Sequence, residues 1–334
     1  MHLQGRPTPR GMTWKSSRET PLHSIGGRTR TPQVGQFRTH FTLFRINDDV
    51  PMEAEMEAEV RSLLLNKGVC HTHLRSYHFK NWLREAYLAE GTSTLPNKDR
   101  CRNLVDLTQY TCYNGEITMD MSWIIIVLVP NVNTDTWGVG FLETLWKMVE
   151  AIIDNRLKSC INFHDVLHGF CAGRGMGAAI LELKLAHELV KIYQYPLSLV
   201  FLDRRKEYDN LELIRLLTTM EGYGAGTHIC GILAEFWEHQ EVVTRKNGYH
   251  GPCFQGKGRK PQGGLILSTL FNMVVENVLH NYLSMTIKDK LFAHDGLGLT
   301  LGRCMGMFDA DEVLVGSQKP ECLQGALTVI IVLF

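Results

Sequence analysis

No Cys-x-x-Cys pair occurs among the nine cysteines (Cys70, Cys101, Cys112, Cys160, Cys171, Cys230, Cys253, Cys304, Cys322), and their number is odd. That spacing suggests neither a zinc ribbon nor a disulfide framework, and a reducing compartment is the simpler reading. Long apolar runs are also missing. Trp123–Val129 and Leu327–Phe334 are too short to span a bilayer and suit buried strands or a cut-off helix. The first forty residues have no apolar core of a signal peptide. Net charge is absent too, with 35 Lys+Arg against 35 Asp+Glu, so contact with nucleic acid would have to rest on local basic patches. No internal repeat is evident. These absences lead us to expect an intracellular chain, nuclear or cytoplasmic, neither secreted nor tied to a membrane.

What is present is core. With 44% hydrophobic residues in 334, the chain can bury one large domain or two smaller ones. Met1–His40 carries seven Lys/Arg and one acid among Pro, Gly, Ser and Thr, and is expected to be a disordered basic arm. An acidic stretch, Asp48–Glu59, leads into a helical pattern through Leu65, and a second follows near Phe79–Ala89. Trp123–Pro130 reads as a strand stopped by proline. Phe141–Ile161 reads as a helix with Leu142, Leu145, Met148, Val149, Ile152 and Ile153 on one face. After a turn at Gly169–Gly177 come a helix through Leu181–Tyr193, a buried-type strand Pro196–Leu202, and a short helix Leu211–Met220. Glu241–Phe254 reads as a hairpin turning at Asn247-Gly248. A basic loop, Lys257–Lys260, precedes a helix that buries Leu270, Phe271, Val274, Val275, Val278 and Leu279. Helices and strands alternate without a regular βαβ rhythm, which favours a mixed sheet over a doubly wound one.

Three segments carry the chemistry. Phe201-Leu-Asp-Arg-Arg-Lys-Glu-Tyr-Asp209 delivers a carboxylate at the end of an apolar strand. Gln262-Gly-Gly-Leu-Ile-Leu-Ser-Thr-Leu-Phe-Asn272 opens a helix with a glycine pair. Met307-Phe-Asp-Ala-Asp-Glu-Val-Leu-Val315 places an acidic turn between apolar flanks. Carboxylates from two separate strands can hold two Mg²⁺ ions for nucleotidyl transfer, and glycines allow close backbone approach to a substrate.

In order and spacing these segments resemble the reverse transcriptases of non-LTR retrotransposons and group II introns, from about Val50 to the end of the chain. Asn155-Arg156-Leu157 and His168-Gly-Phe-Cys-Ala-Gly-Arg-Gly175 resemble that family's fingers motifs. The resemblance implies an α+β right-hand polymerase. A helical N-terminal region (41–125) would precede fingers (126–195) and a palm (196–334) with a small antiparallel sheet backed by helices. It implies Asp203 and Asp311 as metal ligands, with Glu312 beside them in the catalytic turn. Tyr208 would take the steric-gate position, Gln262 and Gly263 would lie along the nucleotide, and Arg156 and Arg174 would contact nucleic acid. The implied cofactors are two Mg²⁺ ions, with Mn²⁺ as a substitute. The implied partners are an RNA template, a DNA primer and deoxynucleotides.

The departures from the family pattern concentrate on the chemistry. Asp309 stands where an aromatic is usual, Glu312 where a second aspartate is usual, and Glu207 where alanine is usual. Leu267-Ser268 replaces Ser-Pro, while Asn131 and Trp137 replace a basic pair. Only positions 313–334 follow Glu312, so a thumb is expected to be absent. Together these features imply a degenerate, truncated copy, with a non-catalytic nucleic-acid-binding remnant as the rival reading. Two further segments imitate functional motifs. His164-Asp-Val-Leu-His168 echoes a zinc-protease helix but lacks a third ligand. Phe292-Ala-His-Asp-Gly296 imitates the third motif with a histidine in place of its first acid, and Asp311 is preferred.

Overall fold

Acidic residues in the first turn and Arg61 in the last suit the helix macrodipole, and they bracket α1, Glu53–Ser62. Glu55 at the third helical position accepts the backbone N–H of Met52 at 2.9 Å, which fixes the start of the helix. The structure, a computed structural model, describes residues 46–64, 74–81, 96–130, 136–194, 196–203, 211–256, 260, 263–286, 305–309, 312–317, 323–324 and 327–328. All of them belong to one unit, His40–Phe334. The expected basic arm lies outside the described residues.

After α1 come a helical stretch at 76–81, then α2, Pro96–Asn114, and the single turn α3, Met119–Ser122. The aliphatic run Trp123–Pro130 forms β1, and Thr136–Leu142 forms β2, paired antiparallel with it from Ile124↔Leu142 to Pro130↔Thr136. Next are α4, Thr144–Cys160; α5, Met176–Tyr193; and β3, Ser198–Asp203. Helices α6, Leu213–Gly222, and α7, Thr227–Glu238, precede the hairpin of β4, Glu241–Lys246, and β5, Tyr249–Gln255. Asn247 (φ 51°) and Gly248 (φ 83°) both sit in the left-handed region, as a two-residue turn matched to strand twist requires. The chain continues through α8, Leu267–Thr286, to β6, Met305–Asp309, and β7, Glu312–Ser317.

Two sheets result. One has the order β2-β1-β4-β5, with β1 and β4 parallel; the other has the order β3-β7-β6 and is antiparallel throughout. The α+β expectation, a small antiparallel sheet with helices, is borne out. The first sheet joins strands from 123–142 and 241–255, on both sides of the expected border between fingers and palm. Strand β7 lies between two others, and Val313, Leu314 and Val315 are all buried, which accounts for an unbroken aliphatic run. Strand β3 differs from expectation. Val200 and Leu202 pack on the core, but Phe201 on the opposite face is 70% exposed.

The core gathers around α4. The helix starts later than expected, at Thr144, because Phe141 and Leu142 pair in β2. Leu145, Met148, Val149, Ile152 and Ile153 of the expected apolar face are buried in α4, and Trp146 stacks on Phe236 of α7 at 3.7 Å between ring centroids. Asp48 reaches across to the start of α7 and accepts the backbone N–H groups of His228 (3.1 Å) and Ile229 (2.8 Å), a helix cap supplied from 180 residues away. No helix among the described residues is long and apolar enough to cross a membrane.

Candidate active site

Three acid-bearing positions meet at one end of the β3-β7-β6 sheet. The register pairs Asp203, the last residue of β3, with Glu312, the first of β7, and pairs Glu312 with Asp309, the last of β6. Antiparallel partners have Cα atoms about 4.5–5.5 Å apart. In the sequence Asp311 immediately precedes Glu312, the residue that faces Asp203. Asp311 itself lies outside the described residues, as do Tyr208, Gln262, Asn131 and the decoy at 292–296. The two strands read in Met307–Val315 are present as β6 and β7, and the register brings Asp203 opposite Glu312.

Gly263 belongs to the turn that leads into α8. Its φ is +129°, a backbone conformation that residues with a side chain rarely adopt, and a methyl group there would overlap the carbonyl oxygen of Gly140 in β2. The following residues are held by Glu150 of α4, which is 1% exposed. Its Oε2 accepts the backbone N–H of Leu265 at 2.9 Å, and its Oε1 accepts the indole N–H of Trp146 at 2.9 Å. Burial pushes the Glu150 carboxyl up to about 7, while the two hydrogen bonds pull against that rise.

Further polar contacts bind α8 to its surroundings. The Thr269 hydroxyl donates to Asp154 Oδ1, and Asp154 also pairs with Lys158 at 2.6 Å. Asn272 Nδ2 donates to the Gly169 carbonyl at 2.8 Å, and Glu276 accepts the His164 backbone N–H at 3.0 Å. Burial raises the Glu276 carboxyl above its ordinary range. The same helix thus fixes both the glycine turn and the loop at 161–175.

The two arginines expected to face nucleic acid are engaged within the protein. Arg156 is 8% exposed, and its guanidinium bridges Glu55 through Nε (2.8 Å) and Nη2 (2.7 Å). Its Nη1 donates to the carbonyls of Asn47 (3.0 Å) and Asp49 (2.6 Å). This fork fits a carboxylate bidentately and clasps the segment before α1 onto α4. That is a correction of the sequence reading: with these donors taken and the side chain buried, Arg156 serves the fold. Arg174 organises its own loop by donating to the carbonyls of Phe163, His164 and Leu167 and to Asp165 at 2.9 Å. It still borders an open cleft of about 380 Å³ that it shares with Lys158, Asn162 and Phe170. Lys260, expected on a basic loop, is buried.

The zinc alternative fails on geometry. Residues 161–175 are turns and loop, so His164 and His168 do not share a helical face, and the described residues hold no cluster of three or more metal-binding side chains. His168 is buried next to Glu182 at 3.4 Å. The described cysteines 112, 160, 171, 230 and 253 are free thiols.

Sequence reading missed Glu150, Asp154 and Glu276. Acids at positions 150 and 154, one turn apart on the buried side of an otherwise apolar helix, were the available signal.

Carboxylate positions from two strands converge at one sheet end, and oxygen donors of this kind suit Mg²⁺ or Mn²⁺. Residues 130–333, more than half of the chain, match the family described as reverse transcriptase (RNA-dependent DNA polymerase). A search of curated proteins returns no match. Among solved structures, apo telomerase from Candida tropicalis truncated from its C-terminal domain is 11% identical, with a TM-score of 0.41, over 81% of this chain and 56% of that one. Telomerase from Candida tropicalis in complex with a fragment of telomeric RNA is 10% identical, with a TM-score of 0.44, over 76% of this chain and 48% of that one. The chain spans about half the length of these structures. By its family match, with a palm-like antiparallel sheet that carries acidic positions at one end, the chain belongs to the reverse transcriptase family.

Proposed function

We propose that this chain is the fingers and palm of a retroelement reverse transcriptase of non-LTR type, with a nucleotidyl-transfer site that is impaired in this copy. The supporting observation is the register that sets Asp203 against Glu312 at the closed end of the β6–β7 hairpin. In this reading Asp203 and Asp311 hold two divalent ions, Mg²⁺ or Mn²⁺, which would activate the primer hydroxyl and offset charge on the leaving phosphate. Tyr208 excludes a ribose 2′-hydroxyl, and the turn at Gln262-Gly263 lies along the incoming deoxynucleotide.

Impairment follows from the substitutions. Asp309 adds an acid beside two others, so ionising all three becomes costly. Glu312 is one methylene longer than aspartate, a misplacement that matters where sites tolerate about 0.5 Å. Asn131 and Trp137 supply no cation to the triphosphate.

A second reading, a nucleic-acid-binding remnant, draws on the cleft beside Arg174. There Phe170 is 49% exposed, which gives a ring for base stacking, and Lys158, at the surface though paired with Asp154, would have to exchange that partner for a phosphate.

Primer extension on an RNA template, with Mg²⁺ and separately with Mn²⁺, together with RNA and deoxynucleotide binding, separates the two readings. Impairment predicts incorporation near background. Robust extension that is abolished by Asp203→Asn would refute impairment and establish the catalytic assignment. Retained RNA binding without incorporation or nucleotide affinity would favour the remnant.

A further inference from the structure

The acid at position 150 has no part in metal binding, yet its burial is nearly complete. Leaving a carboxyl in an apolar core is costly unless its oxygens are used. Here both are used, by two donors that arrive from different directions: the Trp146 indole and the Leu265 amide. An apolar side chain would leave both donors without partners. A glutamine offers one acceptor oxygen, so its amide N–H₂ would face a second donor. Only a carboxyl answers this pair of donors.

The surrounding structure makes the contact stiff. Trp146 is pinned by its stack on Phe236, and α4 follows β2 after the single residue Glu143. The glycine turn is therefore gripped from two sides, by the Gly140 backbone against Gly263 and by the Glu150 carboxyl beside Gly264. Lower on α8, Thr269–Asp154 and Asn272–Gly169 hold the helix independently, so the Glu150 contact governs the turn more than the helix.

We propose that Glu150 is a positioning residue, which fixes the Gly263–Gly264 turn against β2 so that the backbone offered to an incoming deoxynucleoside triphosphate keeps one conformation. This rests on the polymerase reading of that turn. The groups facing Glu150 are Trp146, Lys147 and Asp154 on its own helix and the Leu265 amide from the turn.

The test uses the full chain, with amide hydrogen exchange at residues 263–265 and binding of a fluorescent deoxyadenosine triphosphate in Mn²⁺. Above about pH 7, where the Glu150 carboxyl is ionised, Glu150→Gln is expected to speed exchange at the Leu265 amide on the order of 10- to 100-fold, the cost of a hydrogen bond to a charged group. It is expected to weaken nucleotide binding several-fold and to leave primed-template binding unchanged. Trp146→Phe combined with Glu150→Gln removes the competing donor, so the double variant should recover most of the protection and the affinity. Simple destabilisation would instead add the two losses. If Glu150→Gln alone does not fold, the double variant should; failure of both overturns the proposal. Normal protection and normal nucleotide affinity in Glu150→Gln also overturn it, with the polymerase reading intact. A wild-type chain that binds no deoxynucleotide overturns the polymerase reading, whatever the exchange pattern shows.

Discussion

Replacing Arg156 by alanine separates a structural arginine from one that reads nucleic acid. Its guanidinium makes two charge-assisted bonds to Glu55 and two bonds to backbone carbonyls. Breaking a buried ion pair by removing one partner typically costs about 3–5 kcal/mol. Glu55 keeps a quarter of its side chain in water and can be rehydrated, which lowers the expected loss to about 2–4 kcal/mol. With a urea m-value of about 3 kcal/mol/M, the unfolding midpoint should fall by about 1 M. The loss should shrink in acid. The Arg156 hydrogen bond holds the Glu55 carboxyl below its ordinary value. A depressed carboxylate contributes stability above the unfolded pKa, about 4.3, and loses it as pH falls through the folded value. Wild type and Arg156→Ala should therefore converge as pH falls from the unfolded value through the lower folded one. A midpoint within about 0.2 M of wild type, together with a large loss of RNA affinity, would refute this and return Arg156 to the nucleic-acid surface.

Other outcomes can be checked directly. Gly263→Ala should cost about 3 kcal/mol or more in urea unfolding, because it adds a backbone overlap to an unfavourable φ, whereas Gly248→Ala, with open space around it, should cost about 1–2 kcal/mol. The raised Glu150 carboxyl keeps its proton in the folded state after the unfolded chain has lost it, so its contribution to stability should decline between about pH 4.3 and about 7 and then level off. A Glu150→Gln chain lacks that decline, which denaturation at several pH values would reveal. Groups that act together in a transition state are non-additive, so Glu312→Asp with Asp309→Tyr, or Asn131→Lys with Trp137→Arg, should each leave primer extension near background. The four changes together should raise it.

Periodicity made most of the fold legible. The buried faces of α4 and α8, the β4–β5 hairpin at Asn247-Gly248 and the strand pair β6 and β7 were all readable, because each is set by local chemistry. Strand β2 was missed: Gly138 and Gly140 weaken its strand signal, and it exists by pairing with β1 and by offering bare backbone to Gly263. Helix α7 was missed as well, since apolar residues surround most of it and its cap comes from distant Asp48. The sheet-end acids were legible from order and spacing. Arg156 was misread because nothing local to it reveals Glu55, a partner 101 residues away. Glu150 was overlooked for the same reason.

Divalent-ion binding, measured by Mn²⁺ electron paramagnetic resonance on the intact chain, tests most directly whether the sheet end is a metal site, and it does not depend on turnover. If Asp203 and Asp311 share a cation, wild type should bind Mn²⁺, and Asp203→Asn and Asp311→Asn should each weaken binding by about tenfold or more. Asp203→Asn and Asp311→Asn chains that bind Mn²⁺ as tightly as wild type would contradict the assignment of the β3-β7-β6 sheet end as the catalytic centre.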